Sequence, residues 1–470
     1  MPKKYHIETK ITPLELDFIY KFRIERGENC INCGKCTKVC IYEVHRRGRD
    51  GDPRKMAQPG TVSCRNCFRC IQECPRGALE KSLDRDFLNI GGSYWKPDMF
   101  VTLWKQAEDG KVPVTGAGYR GPFTGPGFDG MWTDMSEIVR PTRDGIHGRE
   151  YISTSVELGR KLNHLVFDEN AQLVSKTHPT VDIPIPIVFD FVHEKLAPNV
   201  KAGIVKAAAK LNTFVVLSAN DITPDMKGDI KNIIPVVPYK DIDANQDLVR
   251  SVRAVAFEHD GELDKSLPAV IEKVQKLGNV LTIVRIPATR SVEDTVLKLA
   301  QTGAEIIHVI ADYRGTEINT AGGEKPLLSR DVIRAVHLKL VDERVRDEVT
   351  ILFSGGIAMA EHVPKAMICG ADLTAIDIPL LIAIGTRLYE EPEKILVFAE
   401  GVESLSVNTV TQRMVNLMGA WHSQLLEVMG AMGIREARRL RGETGRAIFY
   451  EEIDADTFGK LFKKSETVSL

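Results

Sequence analysis

A chain of 470 residues, 43% apolar and 27% charged, is too long for one ordinary domain and has the profile of a globular protein with a full core. Its formal net charge of −2 gives no electrostatic basis for holding nucleic acid or an anionic membrane. No stretch approaches the roughly 20 apolar residues of a membrane span, and no apolar run follows Met1–His6 as in a secretory signal. A cytoplasmic protein is expected.

Residues 1–29 read as an N-terminal arm, in which Thr12 caps a short helix reaching to Tyr20. Residues 30–83 carry two cysteine runs, Cys30-x2-Cys33-x2-Cys36-x3-Cys40 and Cys64-x2-Cys67-x2-Cys70-x3-Cys74, the second closed by Pro75. Thiolates at this spacing wrap three corners of an iron–sulfur cube, while the fourth cysteine of each run reaches to the other cube. Cys30, Cys33, Cys36 and Cys74 are therefore expected to hold one [4Fe-4S] cluster, and Cys64, Cys67, Cys70 and Cys40 a second. Zinc held by four thiolates is the rival, and two runs in this rhythm fit it poorly. With eight of nine cysteines so placed, a reducing compartment is indicated. Cys369 reads as a small buried hydrophobe. Between the runs, Arg46, Arg47, Arg49, Arg54 and Lys55 make a basic loop. It is either a solvated excursion or a docking surface for an acidic electron carrier.

Residues 84–179 form a connecting segment rich in Gly, Pro and aromatics, with little periodicity. Gly116-x-Gly118-x-x-Gly121 matches a dinucleotide fingerprint, but Pro122 and Pro126 cannot open the helix that a pyrophosphate needs, so the match is rejected. The polar stretch Arg140–Arg149 reads equally as surface loop or as a reach into an active site. From residue 180 to 450, β-branched runs alternate with amphipathic stretches. The runs are Pro184–Phe191, Thr213–Ser218, Ile233–Pro238, Ala254–His259, Val280–Ile286, Ile306–Ala311, Val349–Ser354 and Leu373–Ile378. Eight such units predict an α/β fold, a (βα)8 TIM-type barrel preceded by a small α+β ferredoxin-like domain, with a doubly wound sheet as second choice. Further helices occupy 400–446, with Met414–Met432 as an ordinary packing face, and 451–470 is a tail.

Barrel enzymes place reactive groups where strands end. That rule collects Asp190, Ser218, Asn220, Asp221, Glu258, His259, Asp260, Arg285, Arg290, the Asp312–Thr316 turn, Ser354-Gly355-Gly356 and Asp377. The Ser-Gly-Gly after the seventh strand is either a plain tight turn or a phosphate site, where glycine lets backbone amides come close. Clusters carry single electrons and need a two-electron partner, for which FMN is the natural candidate. Ser354, Gly355, Gly356, Asp377 and Arg285 are then its expected ligands. Arg285 either sits beside the flavin N1–C2=O edge or makes a structural ion pair. Arg285, His259 and Arg314 are the catalytic candidates.

These residues resemble the FMN-binding synthase domain of glutamate synthase, in particular the archaeal-type large subunit with a fused ferredoxin domain. The resemblance covers roughly residues 25 to 450. It is carried by the paired cysteine runs, Arg140–Tyr151, Thr350–Gly370, Asp377–Gly385 and Gln412–Trp421 with the helix that follows. It implies a (βα)8 barrel with FMN at its mouth, reducing 2-iminoglutarate made from 2-oxoglutarate and ammonia. The departures lie in the loops. The Lys and the Gln-Gly-Ala-Lys-Pro-Gly segment that grip 2-oxoglutarate in the family are replaced by Phe257-Glu-His-Asp-Gly-Glu-Leu263. The turns after strands one, two and six read Phe189-Asp-Phe191, Leu217-Ser-Ala-Asn-Asp221 and Tyr313-Arg-Gly-Thr-Glu317. The [3Fe-4S] cysteines and the glutamine-splitting N-terminal cysteine have no counterpart.

The expectation is an iron–sulfur flavoprotein oxidoreductase with two [4Fe-4S] clusters and FMN. Its redox partner is expected to be a ferredoxin or an NAD(P)H-oxidising flavoprotein subunit, within an oligomer or complex. Arg285, Arg290 and Arg314 are the cations available to orient a dicarboxylate. One rival is an electron-transfer subunit of a larger complex without 2-oxoglutarate chemistry. The other is a barrel that has lost FMN and only supports the clusters.

Overall fold

The computed structural model describes residues 5–14, 19–49, 51–60, 64–112, 125, 127–134, 151–175, 178–192, 196–318, 325–391, 394–398 and 401–462. Gly116–Gly121, Arg140–Arg149 and residues 463–470 of the tail lie outside that set. So do residues 15–18, within the expected Thr12–Tyr20 helix, whose first residues Thr12–Leu14 are not helical.

Eight parallel strands close into a barrel. They are β1 (Ile187–Asp190), β2 (Val215–Ser218), β3 (Ile233–Val236), β4 (Ala254–Glu258), β5 (Leu281–Pro287), β6 (Ile306–Ile310), β7 (Thr350–Ser354) and β8 (Leu373–Ile376). The ring shuts where Thr374 of β8 pairs with Ile187 of β1. Strands covered on both faces have no solvent side to reward alternation, so they read as apolar runs; every residue of β7 is buried. The TIM-type barrel expected from the sequence is the fold found.

The connecting helices show the complementary pattern. Helix Val292–Gln301 buries Val292, Val296, Leu299 and Ala300, one stripe at i, i+4, i+7 and i+8, and leaves its other side wet. Between β2 and β3 the chain makes tight helical turns over Pro224–Asn232, kinked at Asp229, in place of a regular helix.

Two features ahead of the barrel were not read from sequence. Helix Pro97–Asp109 starts with Pro at its first turn, ends at Gly110 in the left-handed region (φ 70°), and packs on helix Val407–Ala431. Hairpin Val156–Leu158/Val181–Ile183 plugs the other end of the barrel, tied there by the Thr350 hydroxyl, which donates to the Gly159 carbonyl at 2.9 Å.

In the cysteine-rich region, strand Phe22–Arg26 pairs antiparallel with Leu79–Leu83, and the two motifs fold as the same turn twice. Short helices Lys35–Val39 and Arg69–Gln72 carry the third cysteine of each run. Asn32 and Asn66 (φ 55° and 52°), then Gly34 and Phe68 (φ 73° and 59°), take left-handed conformations at equivalent places. Among the described residues no helix is long and apolar enough to cross a membrane.

Candidate functional site

The first cysteine set assembles across the two runs. Cys30, Cys33, Cys36 and Cys74 line one cavity, closed on its inner side by Arg26, Met56 and Leu79. Buried Arg26 donates toward Cys30 Sγ (3.4 Å) and Cys36 Sγ (4.0 Å), and the Ala78 amide toward Cys74 Sγ (3.2 Å). Burial alone would push the Cys74 thiol up, but the backbone donors of residues 76–79 outweigh it and hold it below the ordinary cysteine value. Positive charge and N–H donors aimed at sulfur are what an anionic thiolate cluster requires.

Cys64, Cys67 and Cys40 surround Cys70 in the second set. Its thiol is pushed up to about 11, first by burial and then by those three neighbours, since adjacent thiolates repel a further charge. Cys33 and Cys67 reach solvent, while Cys36 and Cys70 are buried. Among the described residues no three His, Cys, Asp or Glu side chains converge on a single-ion site; the thiols ring a space instead.

At the C-terminal mouth of the barrel a cleft of about 600 Å³, counting the part open to solvent, is lined by Trp95, Asp190, Arg285, Tyr313, Ser354, Gly355, Gly356 and Asp377, among others. Four of the five expected FMN ligands, Ser354, Gly355, Gly356 and Asp377, stand on adjacent strand ends; the fifth, Arg285, faces them from β5.

Arg285 is 1% exposed. Its Nε donates to Glu258 Oε1 (2.8 Å), and one terminal nitrogen donates to Asp190 Oδ2 (3.0 Å) and to His308 Nδ1 (3.1 Å). A guanidinium has no acceptor, so His308 Nδ1 must be the acceptor and its proton must reside on Nε2. Nε2–H then points at Ser354 Oγ, 2.9 Å away. The Ser354 hydroxyl, accepting from histidine, keeps its own proton to donate into the cleft. Burial and then the Arg285 charge push His308 down to about 3, which keeps the ring neutral.

The Gly355–Gly356 turn has left-handed φ values of 99° and 72°. A Cβ on Gly355 would stand 2.6 Å from the Ala311 carbonyl, and one on Gly356 2.4 Å from Gly315 Cα. Both glycines are therefore required to let the loops after β6 and β7 touch. Tyr94 donates to the Gly356 carbonyl and Trp95 Nε1 to the Tyr313 carbonyl (3.0 Å), roofing the seam. The amides of Gly355, Gly356 and Ile357 find no acceptor among the described residues. Successive amides of this kind suit a phosphate. The Asp377 carboxylate accepts from the Ile378 amide (2.5 Å) and suits a sugar-like hydroxyl rather than a phosphate.

The other two catalytic candidates are elsewhere. His259 is not among the residues lining the cleft; its backbone amide donates to the Arg285 carbonyl at 2.9 Å. Arg314 pairs through Nε with Glu390 (2.6 Å), and Arg290 pairs with Glu317 (2.9 Å). Sequence reasoning missed His308, Tyr94 and Trp95. A histidine inside the apolar run Ile306-Ile-His-Val-Ile310 was a signal for a polar barrel interior; the two aromatics offered none.

Residues 29–79 match a family described as 4Fe-4S dicluster domain, and residues 251–435 one described as conserved region in glutamate synthase. The archaeal glutamate synthase [NADPH] of Archaeoglobus fulgidus is 25% identical over 506 aligned positions, covering 93% of this chain and 96% of its own. The archaeal-type glutamate synthase [NADPH] of Dehalococcoides mccartyi is 24% identical, covering 90% and 94%. Among solved structures, a flavocytochrome b2 variant with pyruvate bound aligns over 72% of this chain and 90% of its own, at TM-score 0.42 and 12% identity.

Proposed function

Since the chain belongs to the glutamate synthase-like family and carries a 4Fe-4S dicluster domain ahead of its barrel, we propose that it is an iron–sulfur flavoprotein oxidoreductase with FMN at the barrel mouth. The observation that carries the flavin site is the run of three backbone amides, Gly355 to Ile357, opening into the cleft beside the Ser354 hydroxyl. FMN supplies the exchange between single electrons, which clusters handle, and the electron pair that a small-molecule substrate needs. Around it, the amides hold the phosphate and Asp377 takes a hydroxyl. The His308–Ser354 pair presents one oriented O–H donor. Arg285, held rigid by Asp190 and Glu258, fixes a positive charge at the floor of the cleft. Trp95 and Tyr94 exclude water from above. The eight motif cysteines hold the two clusters, and the redox partner is a ferredoxin or an NAD(P)H-oxidising flavoprotein subunit.

A second reading is favoured by one specific observation. Arg285, Arg290 and Arg314, the cations proposed to orient a dicarboxylate, each face a carboxylate of the chain itself. Of the three only Arg285 lines the cleft, and a dicarboxylate there would have to displace Asp190 or Glu258 from it, which favours an electron-transferring subunit without 2-oxoglutarate chemistry.

Anaerobic purification with counts of iron, acid-labile sulfide and flavin tests the first part. About eight iron and one FMN per chain are expected from two cubes and one phosphate site. No FMN after gentle purification would sink both readings. Adding 2-oxoglutarate and ammonium to the reduced protein separates them: flavin reoxidation that depends on both compounds identifies the synthase reaction, and no response identifies the relay.

A further inference from the structure

We propose that the basic hairpin Arg47–Arg49/Asp52–Met56, with Arg46 beside it, is the docking surface for a small acidic one-electron carrier protein, and that it delivers electrons to the cluster held by Cys30, Cys33, Cys36 and Cys74. The inference rests on the iron–sulfur reading above and adds the place and chemistry of the partner.

Charge is the first argument. The whole chain is nearly neutral, at −2, yet Arg46, Arg47, Arg49, Arg54 and Lys55 lie within ten residues and are all exposed. Asp52, the described carboxylate of the hairpin, accepts from the Arg54 amide at 2.9 Å and from its Nε at 3.4 Å, one carboxylate set against five bases. Lys35 and Glu73 nearby neutralise each other at 2.9 Å.

Position is the second. Met56, the last residue of the hairpin, lines the cavity between the four cysteines, and its amide donates to Asn32 Oδ1 at 2.9 Å. Arg47 lies against Gly34 so closely that a Cβ there would be 2.6 Å from its guanidinium nitrogen. The hairpin is thus fastened to the rim of the first cavity, beside exposed Cys33. The second motif faces the other way. Arg65, next to Cys64, pairs at 2.9 Å with Glu108 of the helix Pro97–Asp109 that packs on the barrel assembly. The domain therefore has an outer, basic end at the first cluster and an inner end, at the second, turned toward helix Pro97–Asp109. In the docked complex one electron leaves the carrier, which is oxidised, and reduces the first cluster; no bond or proton changes hands.

A holoenzyme variant, Arg46→Glu/Arg54→Glu/Lys55→Glu, tests this while leaving Arg47 on Gly34. Bleaching of cluster absorbance is followed after mixing with a reduced, strongly acidic [2Fe-2S] ferredoxin, over a range of salt. Steering of opposite charges predicts a wild-type rate that falls with ionic strength, and a variant slower by about 10-fold or more at low salt with a flat salt profile. Photoreduced 5-deazariboflavin, a small neutral reductant, should bleach both proteins alike. An unchanged rate and salt slope with ferredoxin would overturn the docking surface. If the Glu variant fails to assemble its clusters, Arg46→Gln/Arg54→Gln/Lys55→Gln decides: a slower, flatter profile supports the proposal and an unaltered one overturns it. Wild type that deazariboflavin cannot bleach would refute the cluster reading itself, a failure distinct from loss of docking.

Discussion

Arg26 shows how one side chain sets a local potential. It is 6% exposed and shares its guanidinium between Cys30, Cys36 and His45 (3.4 Å to Nδ1), so its charge sits against the first cluster site. Reduction adds negative charge, which a neighbouring cation and N–H···S contacts favour. Arg26→Gln is expected to lower the reduction potential of one cluster by on the order of tens of millivolts and leave the other in place, measured by EPR-monitored redox titration. Equal shifts in both clusters would contradict the assignment. His308 is the matching case at the barrel mouth. His308→Leu leaves Arg285 and Ser354 each short of a buried partner, at a cost of about 1–3 kcal/mol, and frees Ser354 to turn. His308→Gln keeps an N–H donor near the Nε2 position. Flavin affinity, titrated by fluorescence quenching, should drop in the Leu variant and recover substantially in the Gln variant; equal losses would mean the ring only fills space.

Elements are held to one another here by few, well-placed polar groups. Arg413, on helix Val407–Ala431, is fully buried and donates to three carbonyls from three other segments: Ala383 (2.6 Å), Thr12 (2.6 Å) and Trp104 (3.1 Å). It clamps the arm and helix Pro97–Asp109 onto the barrel's last helices. Arg413→Met would strand those carbonyls and destabilise the fold by about 3–5 kcal/mol, seen as a lower urea midpoint; a change under 1 kcal/mol would refute the clamp. The glycine turn after β7 is the other joint. Gly356→Ala must separate two loops that touch at Gly315, while also straining a left-handed backbone, for about 1–3 kcal/mol. Protein purified from this variant should contain less flavin, and full occupancy would show that the turn plays no part in binding. Gln412–Trp421 was already visible as a shared stretch, but not Arg413's partners, because two of its three acceptors, Thr12 and Trp104, come from segments more than 300 residues away.

Across the whole molecule, buried neutral histidines make stability depend on pH. Burial pushes His308 down to about 3 and His422 to about 4, the latter helped by His6. In the unfolded chain both protonate near 6.5, so between that value and about 4 the unfolded state binds more protons. Stability is therefore retained above pH 6.5 and lost as pH falls, by up to about 1.4 kcal/mol per pH unit for each histidine. Unfolding midpoints measured at pH 7 and pH 5 should show that loss; an unchanged midpoint would mean neither ring is neutral in the fold. The barrel itself was legible from sequence because eight covered strands must be continuous β-branched runs, and each run is a local property. The 4Fe-4S dicluster domain was legible because a cube sets the spacing of its cysteines along the chain. Helix Pro97–Asp109 was not, although Met99, Phe100, Leu103, Trp104 and Ala107 fall on one helical stripe, since the short run Met99–Trp104 taken alone reads equally as strand. By itself, then, the sequence determined the fold class, the dicluster domain and the glycine turn, all of which follow from local periodicity or spacing. Only the tertiary structure decided which carboxylate meets each arginine, where His308 directs its proton, and which end of the cysteine domain faces outward. Those depend on Coulomb and hydrogen-bond contacts between strands and loops far apart in the chain, and such contacts exist only once the barrel has closed.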